Sequence, residues 1–254
     1  MTSEGPAELV RLASADNFRD VAGGGHETAD GGTVRHGVFF RSNELVLTEE
    51  DATTLAGLGI TAVYDLRGAH EIDAHPDATI PGATWHHVEV HGIPMETVVT
   101  LQSREQGVEV MREVYRGFVE HEGGRAAFGE LLTRLATTEG SQLFHCTAGK
   151  DRTGWASVLL LHLAGVPAQT ILEDYLATNT ISSATREKYL GMVREHLGPD
   201  QVEVYETVMV ADEAYLQAAY DAVAAEYGSI DEYVVTGLGV ARADVDRLVA
   251  RLRG

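Results

Sequence analysis

Residues 145–154 read His145-Cys146-Thr147-Ala148-Gly149-Lys150-Asp151-Arg152-Thr153-Gly154. They hold the one cysteine of the chain. A sole cysteine has no intramolecular disulfide partner, and a Cys-rich zinc module is excluded. The bland account is an inert buried thiol. That account leaves the preceding His145, the following Arg152 and the sequence around them unexplained. Five residues between Cys146 and Arg152 can curl the backbone so that several N–H groups aim at one anion. Arg152 can clamp two oxygens of a tetrahedral phosphate with its planar fork. The same field stabilises a thiolate at Cys146, so one loop can bind a phosphate and activate a nucleophile. Thr153 can donate its hydroxyl toward that thiolate, and Gly149 permits backbone geometry that a side chain would obstruct. The candidate phosphate-binding residues are Thr147, Ala148, Gly149, Lys150, Asp151, Arg152 and Thr153.

The neighbouring elements have to place this loop. A β-prone run, Gln142 to His145, precedes it. An apolar helical run, Trp155 to Leu163, follows until Gly165 and Pro167 stop it. Cys146 is thus expected at the carboxyl end of a strand, and Arg152 at a helix start whose positive end favours anions. Two further runs, Ile60–Leu66 and Thr84–Val90, read as buried strands. Thr48 with Asp51 reads as a helix-starting capping box. Val108, Met111, Val114, Tyr115, Phe118 and Val119 share one helical face, and a second helix is expected over Ala126–Ala136. Strands separated by helices imply a three-layer α/β/α fold with a mostly parallel sheet. Gly23-Gly24-Gly25 and Gly31-Gly32 read as a hairpin loop, since they lack the strand and helix of a dinucleotide site. Residues 166–254 read as mostly helical, with Val202, Tyr205, Val208, Met209, Tyr215, Leu216, Ala219, Tyr220 and Val223 facing a core.

The loop resembles the HCx5R(S/T) signature of cysteine-dependent protein tyrosine phosphatases, and more narrowly a bacterial branch of that family. Asn17-Phe18-Arg19-Asp20, Phe40-Arg41-Ser42 and Val63-Tyr64-Asp65-Leu66-Arg67, with Glu71 nearby, fit the same branch. The resemblance spans most of the chain and implies a single phosphatase domain over 1–254. It also implies that Cys146 forms a phosphocysteine intermediate in hydrolysing phosphotyrosine, and also phosphoserine or phosphothreonine, of proteins. No cofactor and no metal are implied.

A leaving oxygen needs a proton. The family usually draws it from an Asp on a mobile loop upstream, yet no Asp lies between Asp77 and Asp151. Asp151 is the leading candidate, as the resemblance also implies, with Asp65 and Asp77 as rivals. The blander role of Asp65 is to orient an arginine, and that of His75-Pro76-Asp77 is a turn. His145 is expected to orient Cys146. Lys150 reads as a solvated side chain or as a contact to a second phosphate, and so leaves a phosphoinositide substrate as the alternative. Arg19, Arg41 and Arg67 are expected to brace the fold. His87, Glu89 and His91 could share a strand face as metal ligands, but surface histidines are the plainer account.

Acidic residues number 39 against 19 basic, for a net charge of −20. That argues against nucleic acid and against stable insertion into an anionic membrane. It constrains steering without forbidding a phosphate, because the loop's own N–H groups and Arg152 make a local positive pocket. The partner is therefore a phosphoprotein or a phospholipid headgroup; the oligomeric state is not legible. Residues 1–10 do not read as an export signal, so a cytoplasmic location is expected, with leaderless secretion left open. A weakly catalytic phosphate-binding module and a rhodanese-like sulfurtransferase are the competing classes. Residues 92–125 are long for a crossover and are expected to form a helical lid or insert; the alternative is a packed crossover helix.

Overall fold

The computed structural model describes residues 10–253. Five strands, β1 Arg19–Asp20, β2 Phe39–Ser42, β3 Ile60–Asp65, β4 Thr84–His87 and β5 Ser141–His145, form one sheet in the order β1-β2-β5-β3-β4. β2, β5, β3 and β4 are parallel, and β1 is antiparallel to β2. The strand carrying the cysteine loop therefore occupies the centre. β3 and β4 both stop earlier than the hydrophobic runs predict. The cause is local: the Arg67 N–H donates to Asp65 Oδ1 at 3.0 Å, a side-chain turn that ends β3. β4 loses its ladder partner there, and Val88 and Val90 continue only as donors to the carbonyls of Asp65 and Leu66.

The helices in chain order are α1 Glu49–Gly57, α2 Ala69–Ala74, α3 Met95–Val98, α4 Arg104–Glu120, α5 Glu122–Thr137 and α6 Asp151–Leu163. Then come α7 Ala168–Ile181, α8 Ser183–His196, α9 Val202–Met209, α10 Glu213–Glu226, α11 Ile230–Glu232 and α12 Arg242–Leu252. Thr48 caps α1 by accepting from the Asp51 N–H at 3.2 Å. Asp51 does not close the capping box, because its carboxylate holds Ala13 and Ser14 instead.

Alternation along the strands builds two cores. Phe39, Ala62, Tyr64 and Phe144 face a large one formed with α4, α5, α6, α10 and α12. Phe40, Val63 and Leu143 face a smaller one closed by Phe18, Leu45, Leu55 and Ile80. The fold is thus the expected three-layer α/β/α arrangement, with one layer much thicker. α6 lies almost wholly inside it, which explains its unbroken apolar run. α4 buries Met111, Tyr115, Phe118 and Val119 and packs on α5, α9 and α10. A Cβ at Gly107 would meet Thr207 Oγ1 at 2.0 Å, so the α4–α9 approach requires glycine there. The stretch 92–125 thus contains a helix built into the core.

The C-terminal stripe holds for α10, where Tyr215, Leu216, Ala219 and Val223 are buried. On α9 the buried residues are instead Val204 and Thr207, and Val202, Tyr205, Val208 and Met209 are only partly covered. The reason is that α9 presents its small Thr207 face to Gly107. Among the described residues no helix is long and apolar enough to cross a membrane.

Candidate active site

β5 ends on His145, the loop Cys146–Lys150 follows, and α6 begins at Asp151. Three carbonyls of the loop are each held by a different segment. Glu44 N–H donates to Thr147 O at 3.0 Å, Asn17 Nδ2 to Ala148 O at 2.8 Å and Arg41 Nη2 to Gly149 O at 2.9 Å. Cys146 O lies 3.3 Å from His145 Nδ1. In a planar peptide the N–H points opposite to the C=O. Fixing the carbonyls outward therefore turns the N–H groups of Ala148, Gly149 and Lys150 toward the other side. These N–H groups, with that of Thr147, make no hydrogen bond to described residues. They are the candidate donors of an anion nest. Gly149 has φ +66°, and a Cβ on it would sit 2.5 Å from Ser42 O. No other residue fits at that corner.

The braces are themselves held. Asn17 Oδ1 accepts from Arg19 Nη1, and Arg41 Nη1 donates to Asp174 Oδ2 at 3.1 Å. Asp174, on α7, also lies 3.6 Å from Arg19 Nε and from His26 Nε2. Burial opposes its charge, but His26, Arg19 and Arg41 overcome that and keep its carboxyl far below the usual range. Arg19 and Arg41 are thus structural supports of the loop from behind.

Arg152 faces the loop and is buried beside Cys146. Its Nη1 and Nη2 donate to Glu71 Oε2 and Oε1 at 2.7 and 2.8 Å, while Nε bonds to no described residue. Glu71 also accepts from the Thr147 hydroxyl and from Gly68 N–H. Burial would raise the Glu71 pKa, yet Arg152 holds it down to about 2. Thr153 Oγ1 is buried with no partner among the described residues.

The three candidate acids separate cleanly. Asp65 is fully buried and spends both oxygens on Arg67, at 2.9 Å from Nε and 2.7 Å from Nη2. Asp77 accepts from Arg67 Nη2 at 2.7 Å and lies 2.9 Å from His145 Nε2. It also accepts from Leu45 N–H and Trp85 Nε1. Asp151 alone adjoins the loop, as the first residue of α6. Its Oδ1 accepts from Tyr115 Oη at 3.0 Å, and its Oδ2 has no partner among the described residues. The arrangement holds a thiol, an anion nest, a guanidinium and a partly exposed carboxyl around one point, which are the parts of an acyl- or phosphoryl-transfer site.

A sequence model described as the tyrosine phosphatase family matches residues 10–254. The chain belongs to the tyrosine phosphatase family. It is similar to the triple specificity protein phosphatase PtpB of Mycobacterium tuberculosis, at 29% identity over 96% of this chain and 98% of that one. It is similar also to a tyrosine-protein phosphatase of Nostoc commune, at 29% identity over 69% of this chain and 64% of the other. A crystal structure of P. aeruginosa TpbA in complex with pTyr aligns with 87% of this chain and 99% of its own at 13% identity, with a TM-score of 0.34.

In this phosphatase Lys150 is not the solvated side chain that the sequence suggested. It is 2% exposed. Its ammonium donates to Val208 O at 2.8 Å and Val210 O at 3.0 Å, and lies 3.4 Å from Asp151 Oδ1. The exposed carbonyls at the end of α9 attract it, as helix C-termini attract cations. A second substrate phosphate would have to compete with those carbonyls. Arg67 braces as expected, across Asp65, Asp77 and Glu44.

Among the described residues, Asp65, Asp77 and His145 are the one trio of potential ligands brought together. Arg67 already sits among them and supplies the positive charge. His87, Glu89 and His91 are not gathered: His87 Nε2 is 2.7 Å from Arg67 O, and His91 pairs loosely with Glu89 at 3.6 Å. Three contributors escaped the sequence reading in their roles: Glu71, Asp174 and Tyr115. Glu71 and Asp174 are ordinary helical acids by pattern, and Tyr115 is one member of an apolar stripe. Only the spare charge of two buried arginines, Arg41 and Arg152, could have prompted a search for their carboxylate partners.

Proposed function

We propose that this phosphatase is a cysteine-dependent phosphomonoester hydrolase that dephosphorylates phosphotyrosine in proteins, with phosphoserine and phosphothreonine as further substrates. The names of its relatives support the substrate class. The carrying observation is the set of outward-tied carbonyls that turns the loop's N–H groups onto one point beside Cys146 and Arg152. An entering phosphate dianion would take its hydrogen bonds there and from Arg152.

Cys146 Sγ attacks phosphorus in line with the ester oxygen. The S–P bond forms, the P–O bond breaks, and the leaving oxygen takes the proton of Asp151. A water then attacks the phosphocysteine. The S–P bond breaks with its electrons returning to sulfur, and Asp151 takes the water's proton. Asp65 and Asp77 support the opposite side of the loop through Arg67 and His145. Thr153 Oγ1, buried and without a partner among the described residues, would supply a donor to the departing thiolate.

The test is phosphate release from an aryl phosphate and from a phosphotyrosine peptide. Wild type should turn both over, and Cys146→Ser should turn over neither while still binding the peptide. Thiosulfate:cyanide sulfur transfer by wild type, without phosphate release, would assign the loop to the rhodanese class instead.

A further inference from the structure

Tyr115 is fully buried in α4, yet its hydroxyl reaches Asp151 at the start of α6. Its Oη donates to Asp151 Oδ1 at 3.0 Å and lies 2.7 Å from Tyr175 Oη of α7. The ring is fixed by an edge contact to Tyr175 and tilted contacts to Phe118 and Tyr215. Core packing explains the ring. It does not explain a buried hydroxyl bonded to the Asp151 carboxyl with a second buried hydroxyl behind it.

A phenol has one proton. Burial first, and then the facing Asp151, keep the Tyr115 phenol well above its ordinary range, so it remains a donor. Since Tyr115 gives its proton to Asp151, Tyr175 must donate to Tyr115. The chain of bonds therefore has a direction: Tyr175 to Tyr115 to Asp151 Oδ1. Lys150 Nζ also approaches Oδ1, at 3.4 Å. Both neighbours occupy one oxygen and leave Oδ2 clear. The geometry points to Tyr115 as the positioning residue of this phosphatase's acid: it pins the carboxyl through Oδ1, so that the transferable proton resides on Oδ2, turned to the leaving oxygen. This rests on the reading of Asp151 as the acid.

The test is kcat/KM across a series of aryl phosphates whose phenols rise in pKa, for wild type, Asp151→Asn, Tyr115→Phe and the double variant. kcat/KM reports the steps through phosphocysteine formation, where the acid acts. Losing the acid should steepen the dependence on leaving-group pKa, with about a hundredfold or greater loss for the poorest leaving group. Tyr115→Phe should steepen it in the same sense, by about tenfold at that end and little at the other. In the Asp151→Asn background, Tyr115→Phe should add no further slope, because there is no acid left to position.

A uniform loss for all leaving groups in Tyr115→Phe, or extra slope in the double variant, would mean a packing role and overturn the inference. An unchanged slope in Asp151→Asn would overturn the reading of Asp151 and this inference with it. If Tyr115→Phe does not fold, Tyr175→Phe carries the test. It removes the donor behind Tyr115, and a slope equal to wild type would overturn the ordered chain of hydroxyls.

Discussion

The Arg152 guanidinium meets the Glu71 carboxylate with both oxygens engaged, at 2.7 and 2.8 Å. The pair links α6 to α2, and Glu71 also holds the Thr147 hydroxyl. One carboxylate thus fixes the guanidinium plane and one wall of the loop, leaving Arg152 Nε without a bond to any described residue. A clamp already oriented loses little freedom on binding phosphate. Glu71→Gln should halve the recognition of Arg152 and lower kcat/KM for an aryl phosphate by about tenfold, as expected for one charge-assisted hydrogen bond. Unchanged kcat/KM would mean that Arg152 is held without it.

Acid should weaken the fold through the same carboxylate. Glu71 titrates at about 2 against an ordinary 4.5, and Asp77 at about 2 against 3.8. Burial opposes both charges, and is outweighed by Arg152 for Glu71 and by His145 and Arg67 for Asp77. A folded pKa below the unfolded one adds stability above the unfolded value, which is lost as pH falls through the folded one. Urea unfolding should therefore show stability dropping between about pH 4.5 and pH 2. Glu71 is partly open to solvent, which screens its pairing, so its share is roughly 2 kcal/mol. Glu71→Gln should flatten that limb.

Gly149 is the corner on which the nest turns. With φ +66° and Ser42 O only 2.5 Å from where a Cβ would stand, Gly149→Ala must move the loop. Left-handed strain costs about 1–3 kcal/mol, before the clash is counted. Activity should fall by more than a hundredfold while far-ultraviolet dichroism stays that of wild type.

Much of the site is local in sequence and so was legible. Cys146, Arg152 and the strand–loop–helix order follow from one ten-residue run, and three of the five strands, β3, β4 and β5, follow from apolar runs. Strand ends were not legible, because Asp65 ends β3 by a side-chain bond that hydropathy does not register. Neither sequence account of Lys150, a solvated side chain or a contact to a second phosphate, includes its partners, because Val208 and Val210 offer backbone carbonyls some sixty residues away. Asp174 and Glu71 were hidden for a related reason. A helical acid looks the same in sequence whether it faces water or a buried arginine, and only the fold brings the two together.

Asp65 and Asp151 should answer differently to the same change. Asp65 is locked on Arg67 and lies behind the loop, so Asp65→Asn should lower thermal stability and reduce turnover of all aryl phosphates alike. Asp151→Asn should instead lose the basic limb of the pH–rate profile with a poor leaving group. Loss of that limb only in Asp65→Asn would exchange their roles.

Asp174 is the counterion on which both loop braces depend. Arg41 is 1% exposed and Arg19 is 7% exposed, and Asp174 is the shared carboxylate against both. Asp174→Asn keeps the shape and removes the charge, leaving two buried guanidinium groups facing each other. Removing one partner of a buried pair costs about 3–5 kcal/mol. For a chain of this size that corresponds to a fall in Tm of about 10 °C. The consequence for function runs through Arg41, whose Nη2 carries Gly149 O. If Arg41 swings away once the carboxylate charge is gone, the Gly149 peptide is free to rotate and the N–H of Lys150 leaves the nest. Phosphate or vanadate affinity should then fall more than tenfold below the melting temperature, where the protein is still folded. A variant that melts early but binds vanadate as tightly as wild type would show that Arg41 stays in place without its counterion.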